Sequence, residues 1–147
     1  FLTEDSIDKE SVELVSSETI YKEADIIVNH MNLNETNRDF FNLETFRQME
    51  KNPYFINMGR GACVVESDVL IALENNYLRG VGLDVLRDET PKLEGHPLVG
   101  RPDVMITPHA SFYTATSIAE LQRISTENIV HYLLGEKEKV FRLVSNA

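Results

Sequence analysis

Cysteine is all but missing from this chain. Cys63 stands alone, which rules out an internal disulfide and any zinc site built from cysteines, and fits a reducing cytoplasm. A basic run is missing too: 14 Lys and Arg face 24 Asp and Glu, for a net charge of -10 and a pI near 4.8. That balance argues against nucleic acid or an anionic membrane as a partner. No apolar stretch approaches the roughly 20 residues a bilayer span needs. The opening Phe1-Leu2-Thr3-Glu4-Asp5 has none of the character of a secretion signal. It also lacks an initiator Met, which points to a start within a domain. Repeats, low-complexity tracts and obvious linkers are absent. What remains is 147 residues, 42% apolar and 26% charged, enough for one globular domain with a real core.

The pattern along the chain alternates short apolar runs with helical periodicity. Ser16 to Ala24 reads as the end of a helix, and Asp25 to Asn29 as a buried strand. Asn42 is placed to cap a helix carrying Leu43, Phe46 and Met49 on one face, stopped by Asn52-Pro53. Tyr54 to Met58 is the next strand. Ser67 is expected to cap a helix that ends by Gly80, followed by strands at Val81 to Val85 and Val104 to Ile106. Thr114 to Leu134 reads as a long amphipathic helix closed by Gly135. Such alternation predicts an α/β fold with a parallel sheet covered on both faces. Ligands of such sheets bind beyond the carboxyl ends of the strands. Those ends carry Asn29-His30, Asn57 to Gly61, Asp84 to Glu89 and Thr107-Pro108-His109.

Arg60 lies between Gly59 and Gly61 where a strand ends. The position allows a surface ion pair. The flanking glycines, which permit a sharp turn and a close approach, favour instead a guanidinium fork aimed at a carboxylate. His109 follows a strand and a stiffening proline. His96 and His131 read as exposed or structural, and His30 as a neighbour of a bound ligand at most. Glu89 lies in the acidic "DVLRDETP" and gains meaning only beside His109, where a carboxylate fixes an imidazole's tautomer; Asp88 competes for that role. Asp84 can accept from an amide of a ligand or cap the next turn. Cys63 reads as a small core residue. "GVG" at 80–82 precedes a strand, so it is no phosphate loop, and no nucleotide fingerprint occurs in the chain.

Taken in order, "NMGRG", "GLDVLRDE" and "TPHASFYT" resemble the D-isomer-specific 2-hydroxyacid dehydrogenases. "ADIIVNHMNL" resembles that family's strand and following His-x-Pro-Leu loop, with Asn32 in place of the proline. Gly59 stands where Ser or Ala is common, and Thr90 separates Glu89 from Pro91. The resemblance implies Arg60, Glu89 and His109 as the catalytic set. It places Asp84 against the nicotinamide carboxamide, and His30, Met31, Asn32, Asn37, Met58 and Gly59, together with Arg60, along an NAD groove. It further implies a small 2-oxo or 2-hydroxy acid substrate, the D-lactate branch from Phe112-Tyr113, and a homodimeric full-length enzyme. The alternative is a nicotinamide-binding corepressor or scaffold of the same fold.

On this resemblance, residues 1–113 are the C-terminal part of a doubly wound, Rossmann-like dinucleotide-binding domain. Residues 114–147 form an interdomain helix and tail that return toward a substrate domain. The GxGxxG turn and first strands are expected upstream of Phe1. The strands at 25–29 and 54–58 are expected to flank two strands that this chain lacks, and so not to pair with each other. Alone, these residues are expected to bind NAD weakly at best and not to catalyse.

Overall fold

The protein is described from a computed structural model, over residues 12–142. Local chemistry starts most of its elements. Ser16 Oγ accepts the Thr19 N–H at 3.1 Å and opens α1 (Ser17–Glu23). Strand β1 (Ile26–Asn29) follows. Asn42 accepts the N–H groups of Glu44 and Thr45 and opens α2 (Leu43–Arg47). Next come β2 (Tyr54–Asn57), a 3₁₀ turn at Gly61–Cys63, α3 (Glu66–Glu74), β3 (Gly80–Leu83) and β4 (Val104–Ile106). Ser67 is not the cap of α3: that position is held by Val65, without a side-chain bond, and Ser67 lies inside the first turn. The cause is tertiary. The Val65 N–H bonds to the Phe41 carbonyl at 2.9 Å, and the Asp68 carboxylate accepts the Leu43 N–H at 2.9 Å. The start of α2 therefore sets the start of α3.

All four strands are parallel, in the order β1-β2-β3-β4. This corrects the expected gap: β1 pairs directly with β2, from Ile26 opposite Tyr54 to Asn29 opposite Asn57. Each strand follows its predecessor into the neighbouring position, as consecutive strands usually do. The reversal of strand order therefore falls outside the four described strands.

One face of this sheet carries Ile27, Phe55, Val81 and Leu83, packed in a single cluster with Phe46, Val69, Ala72 and Leu73 of α2 and α3. Cys63 belongs to it and is fully buried. The opposite face carries Ile26, Val28, Tyr54 and Met105, which are 43–69% exposed. Cover on both faces, expected from the apolar strands, is thus not found among the described residues. Their helices in this part of the chain give their apolar side chains to the first face.

The chain divides into two compact units after His109. In the second unit, Thr114 accepts the Ser117 N–H at 3.0 Å and opens α4 (Ala115–Leu133), and Gly135 closes it at φ +78°. The stripe Leu121, Ile129 and Leu133 is exposed, and no residue of α4 is buried. His131 pairs with Glu136 at 2.7 Å, a local helix-end contact. No described helix is long and apolar enough to cross a membrane.

Candidate active site

Parallel pairing sends every strand's carboxyl end to one edge, and the ladder runs one residue past each strand. Met58 N–H bonds to Asn29 O, Asp84 N–H to Asn57 O and Thr107 N–H to Leu83 O, each at 3.0 Å. The residues that follow are thereby placed by backbone bonds of the sheet itself. Beyond β2 the chain turns through Arg60 against the segment after β3. A β-carbon at Gly61 would overlap the Leu86 carbonyl and stand 2.6 Å from the Arg87 nitrogen. Glycine at 61 is a packing requirement. Beyond β4, His109 has φ +53°, an uncommon left-handed backbone for a side-chain-bearing residue, with its N–H on the Thr107 carbonyl at 3.0 Å.

These segments enclose a cavity of about 550 Å³. Its polar lining includes Arg60, Asp84, Asp88, Glu89, Thr107 and His109, and Leu86, Pro91, Leu93 and Ile106 are among its apolar walls. Four residues named from sequence, Arg60, Asp84, Glu89 and His109, therefore meet in one place. Arg60, Glu89 and His109 are exposed there, whereas Asp84 is buried and accepts a hydrogen bond from Thr107 Oγ1. Asp88 spends one carboxylate oxygen on the Thr90 N–H at 2.9 Å. Arg60 Nη1 donates to its neighbour's carbonyl, Gly59 O, at 2.9 Å.

The remaining residues assigned to a cofactor groove do not line this cavity. Gly59 packs on Met31: a β-carbon at 59 would stand 2.7 Å from the Met31 carbonyl oxygen. Asn37 is buried, donating to Asn32 O at 2.6 Å and accepting the Asn34 N–H at 2.8 Å, so its amide organises its own loop. His30 and Asn32 are exposed, and Met31 and Met58 half-buried. His96 lies 3.4 Å from Glu66 in a second, shallower depression. Burial pushes the Cys63 thiol up, and a bond from Asn29 and the charge of Arg60 oppose it. It is a core thiol, and no group of three or more metal-binding side chains occurs among the described residues.

Asn29, Asn57 and Thr107 stand at the strand ends named from the sequence but carry no role assigned there. The first two sit in strand positions that alternate with the buried Ile27 and Phe55, so the period-two pattern marks them as inward-facing polar residues. Thr107 carried no such sign.

In open parallel α/β sheets ligands bind beyond the carboxyl ends of the strands, the edge at which these groups gather. Residues 2–111 match the family described as D-isomer specific 2-hydroxyacid dehydrogenase, NAD binding domain. The chain belongs to that family. It is 35% identical over 118 residues to a D-lactate dehydrogenase of Streptococcus agalactiae serotype V, covering 72% of this chain and 36% of that enzyme. It is 37% identical over 111 residues to glyoxylate/hydroxypyruvate reductase A of Photorhabdus laumondii, covering 76% and 34%. Among solved structures, the NAD-complexed D-isomer specific 2-hydroxyacid dehydrogenase of Lactobacillus delbrueckii ssp. bulgaricus superposes with a TM-score of 0.72 at 31% identity, over 80% of this chain and 39% of that one. The chain thus spans little more than a third of the length of these relatives.

NAD is the cofactor of this domain family. The nicotinamide end fits the residues present: the Asp84 carboxylate, held by Thr107 at the cavity wall, is an acceptor for a carboxamide N–H.

Proposed function

We propose that the protein containing this chain interconverts small 2-oxo acids and D-2-hydroxy acids. The observation that supports this most directly is the meeting of a guanidinium, an imidazole and carboxylates in one cavity with apolar walls. Arg60 binds the substrate carboxylate with its planar fork and stabilises negative charge on the adjacent ketone oxygen as it develops. His109 donates a proton to that oxygen in reduction and takes it back in oxidation. Glu89 holds the imidazole in the tautomer that leaves the acting nitrogen toward substrate. Asp84 orients the nicotinamide carboxamide, and NAD, when bound, supplies or accepts the hydride. The working form is a cytoplasmic homodimer.

Leu86, Pro91, Leu93 and Ile106 favour a substrate with an aliphatic side chain, and Asp88 and Glu89 repel a phosphorylated one. Together with Phe112-Tyr113 in the sequence, this points to D-lactate or a bulkier aliphatic 2-hydroxy acid. The test is NADH oxidation by the full-length protein with pyruvate, 2-oxoisocaproate, hydroxypyruvate and glyoxylate. Pyruvate or 2-oxoisocaproate should give the highest kcat/KM. A strong preference for hydroxypyruvate or glyoxylate overturns the substrate assignment, and no turnover of any 2-oxo acid overturns the enzyme.

A further inference from the structure

The turn that carries Arg60 rests on two buried amides. Asn29 and Asn57 are 2% and 0% exposed and stand directly opposite each other at the ends of β1 and β2. Asn29 Nδ2 donates to Asn57 Oδ1 at 2.9 Å. The other ends of both amides leave the sheet. Asn29 Oδ1 accepts the Met31 N–H at 2.9 Å, Asn57 Oδ1 also accepts the Gly59 N–H at 3.2 Å, and Asn57 Nδ2 donates to the Arg60 carbonyl at 3.2 Å. One continuous chain of bonds thus runs from the backbone after β1 to the backbone on either side of the Arg60 side chain. The strands need none of it, since their own ladder is complete through Met58 and Asp84.

Close packing reinforces the link. The site of a β-carbon on Gly59 lies 2.7 Å from the Met31 carbonyl and 3.2 Å from Asn29 Nδ2, so the two turns touch backbone to backbone. Buried amides are costly to leave unpaired, which makes each bond a constraint on the turn it reaches. We propose that Asn29 and Asn57 are positioning residues: their paired amides lock the turn at 57–61 against the turn at 29–31 and hold the Arg60 guanidinium at the cavity. The kinetic part of this inference rests on the reading of Arg60 as the substrate's carboxylate fork.

The experiment uses the full-length protein and the variants Asn29→Ala, Asn57→Ala and Asn57→Asp. The last is nearly isosteric: it keeps an acceptor for Asn29 and Gly59 and sets an oxygen, negatively charged when ionised, against the Arg60 carbonyl in place of the donor. Each variant should raise KM for the 2-oxo acid on the order of 10-fold or more, the scale on which a displaced binding group acts. In an Arg60→Ala background the same changes should add little, because the group they position is gone. A merely structural role adds in full to Arg60→Ala, and that result overturns the inference, as does an Asn57→Asp enzyme with the parent's KM and kcat. If the parent turns over no 2-oxo acid, the enzyme reading falls, and amide hydrogen exchange decides the brace separately. Faster exchange at Met31 in Asn29→Ala and at Gly59 in Asn57→Ala supports it, and unchanged exchange overturns it.

Discussion

The turn at residues 57–61 and the loop at residues 86–94 wall the same cavity, yet they are secured in opposite ways. The turn is held from below by Asn57 and from the sides by backbone packing that excludes a β-carbon at Gly59 and at Gly61. The loop is held at its surface: Arg87 N–H on a Glu66 oxygen, the Arg87 guanidinium on Asp39, and Thr90 N–H on Asp88. Water can replace bonds of the second kind at little cost, and cannot reach those of the first. Arg60, the proposed carboxylate fork, is therefore built into the sheet edge, and Glu89, the proposed partner of the imidazole, rides on a segment that opens more readily.

Breaking the rigid side should cost most. Gly61→Ala sets a β-carbon on the Leu86 carbonyl, a backbone atom that cannot swing away. A loss of about 3 kcal/mol or more in urea unfolding of the full-length protein is expected, the upper range for overpacking, together with loss of activity. A variant as stable as the parent means that the two segments do not abut.

His109→Asn keeps a residue that tolerates the left-handed backbone at φ +53° and removes the proton donor. The fold should survive, with kcat/KM for 2-oxo acid reduction falling on the order of 10²- to 10⁴-fold. A fall of less than about tenfold would shift the acid's role to another group.

Glu89→Gln should cost less than His109→Asn, because the role proposed for Glu89 is to orient the ring, and should lower kcat more than it raises KM. Asp88→Asn is its control, since the Asp88 carboxylate already serves the Thr90 N–H. If Asp88→Asn is the more damaging in steady-state kinetics, the two acids exchange roles.

The smallest effect belongs to the loop's outer tie. The hydrogen bond and charge of Arg87 hold the Asp39 carboxyl below its usual range. A carboxyl depressed in the folded state stabilises above its unfolded value of about 3.9, and that contribution disappears as pH falls through the folded value. Arg87→Ala should therefore lower Tm slightly at neutral pH, and the difference should shrink below about pH 4 and in high salt. A large Tm drop that persists in high salt would place the loop among the rigid parts.

Much of this site could be read from the chain because Arg60, Asp84 and His109 lie within three residues of a strand end. Asp84 follows its strand directly and Arg60 and His109 come three residues after theirs, and a parallel sheet sends all such positions to one edge. The Asn37 amide bonds to the Asn32 carbonyl within its own loop, a partner that no motif announces. Asn29 and Asn57 were passed over because an amide in a strand shows its worth only when its partners are known.

Caps and breaks were likewise settled locally. Asn42, Thr114 and Gly135 bond or turn within a few residues of themselves, so their types alone decide where α2 and α4 start and where α4 stops. The start of α3, the direct pairing of β1 with β2, the bare face of Ile26, Val28 and Met105, and the ban on a β-carbon at Gly61 were decided only by the folded chain. Each depends on what another segment, 25 residues away in the case of Leu43 to Asp68 and 28 in that of Asn29 to Asn57, brings into contact. Propensity and periodicity act over one or two turns of chain, whereas register, steric exclusion and buried amide pairing exist only between segments already packed together.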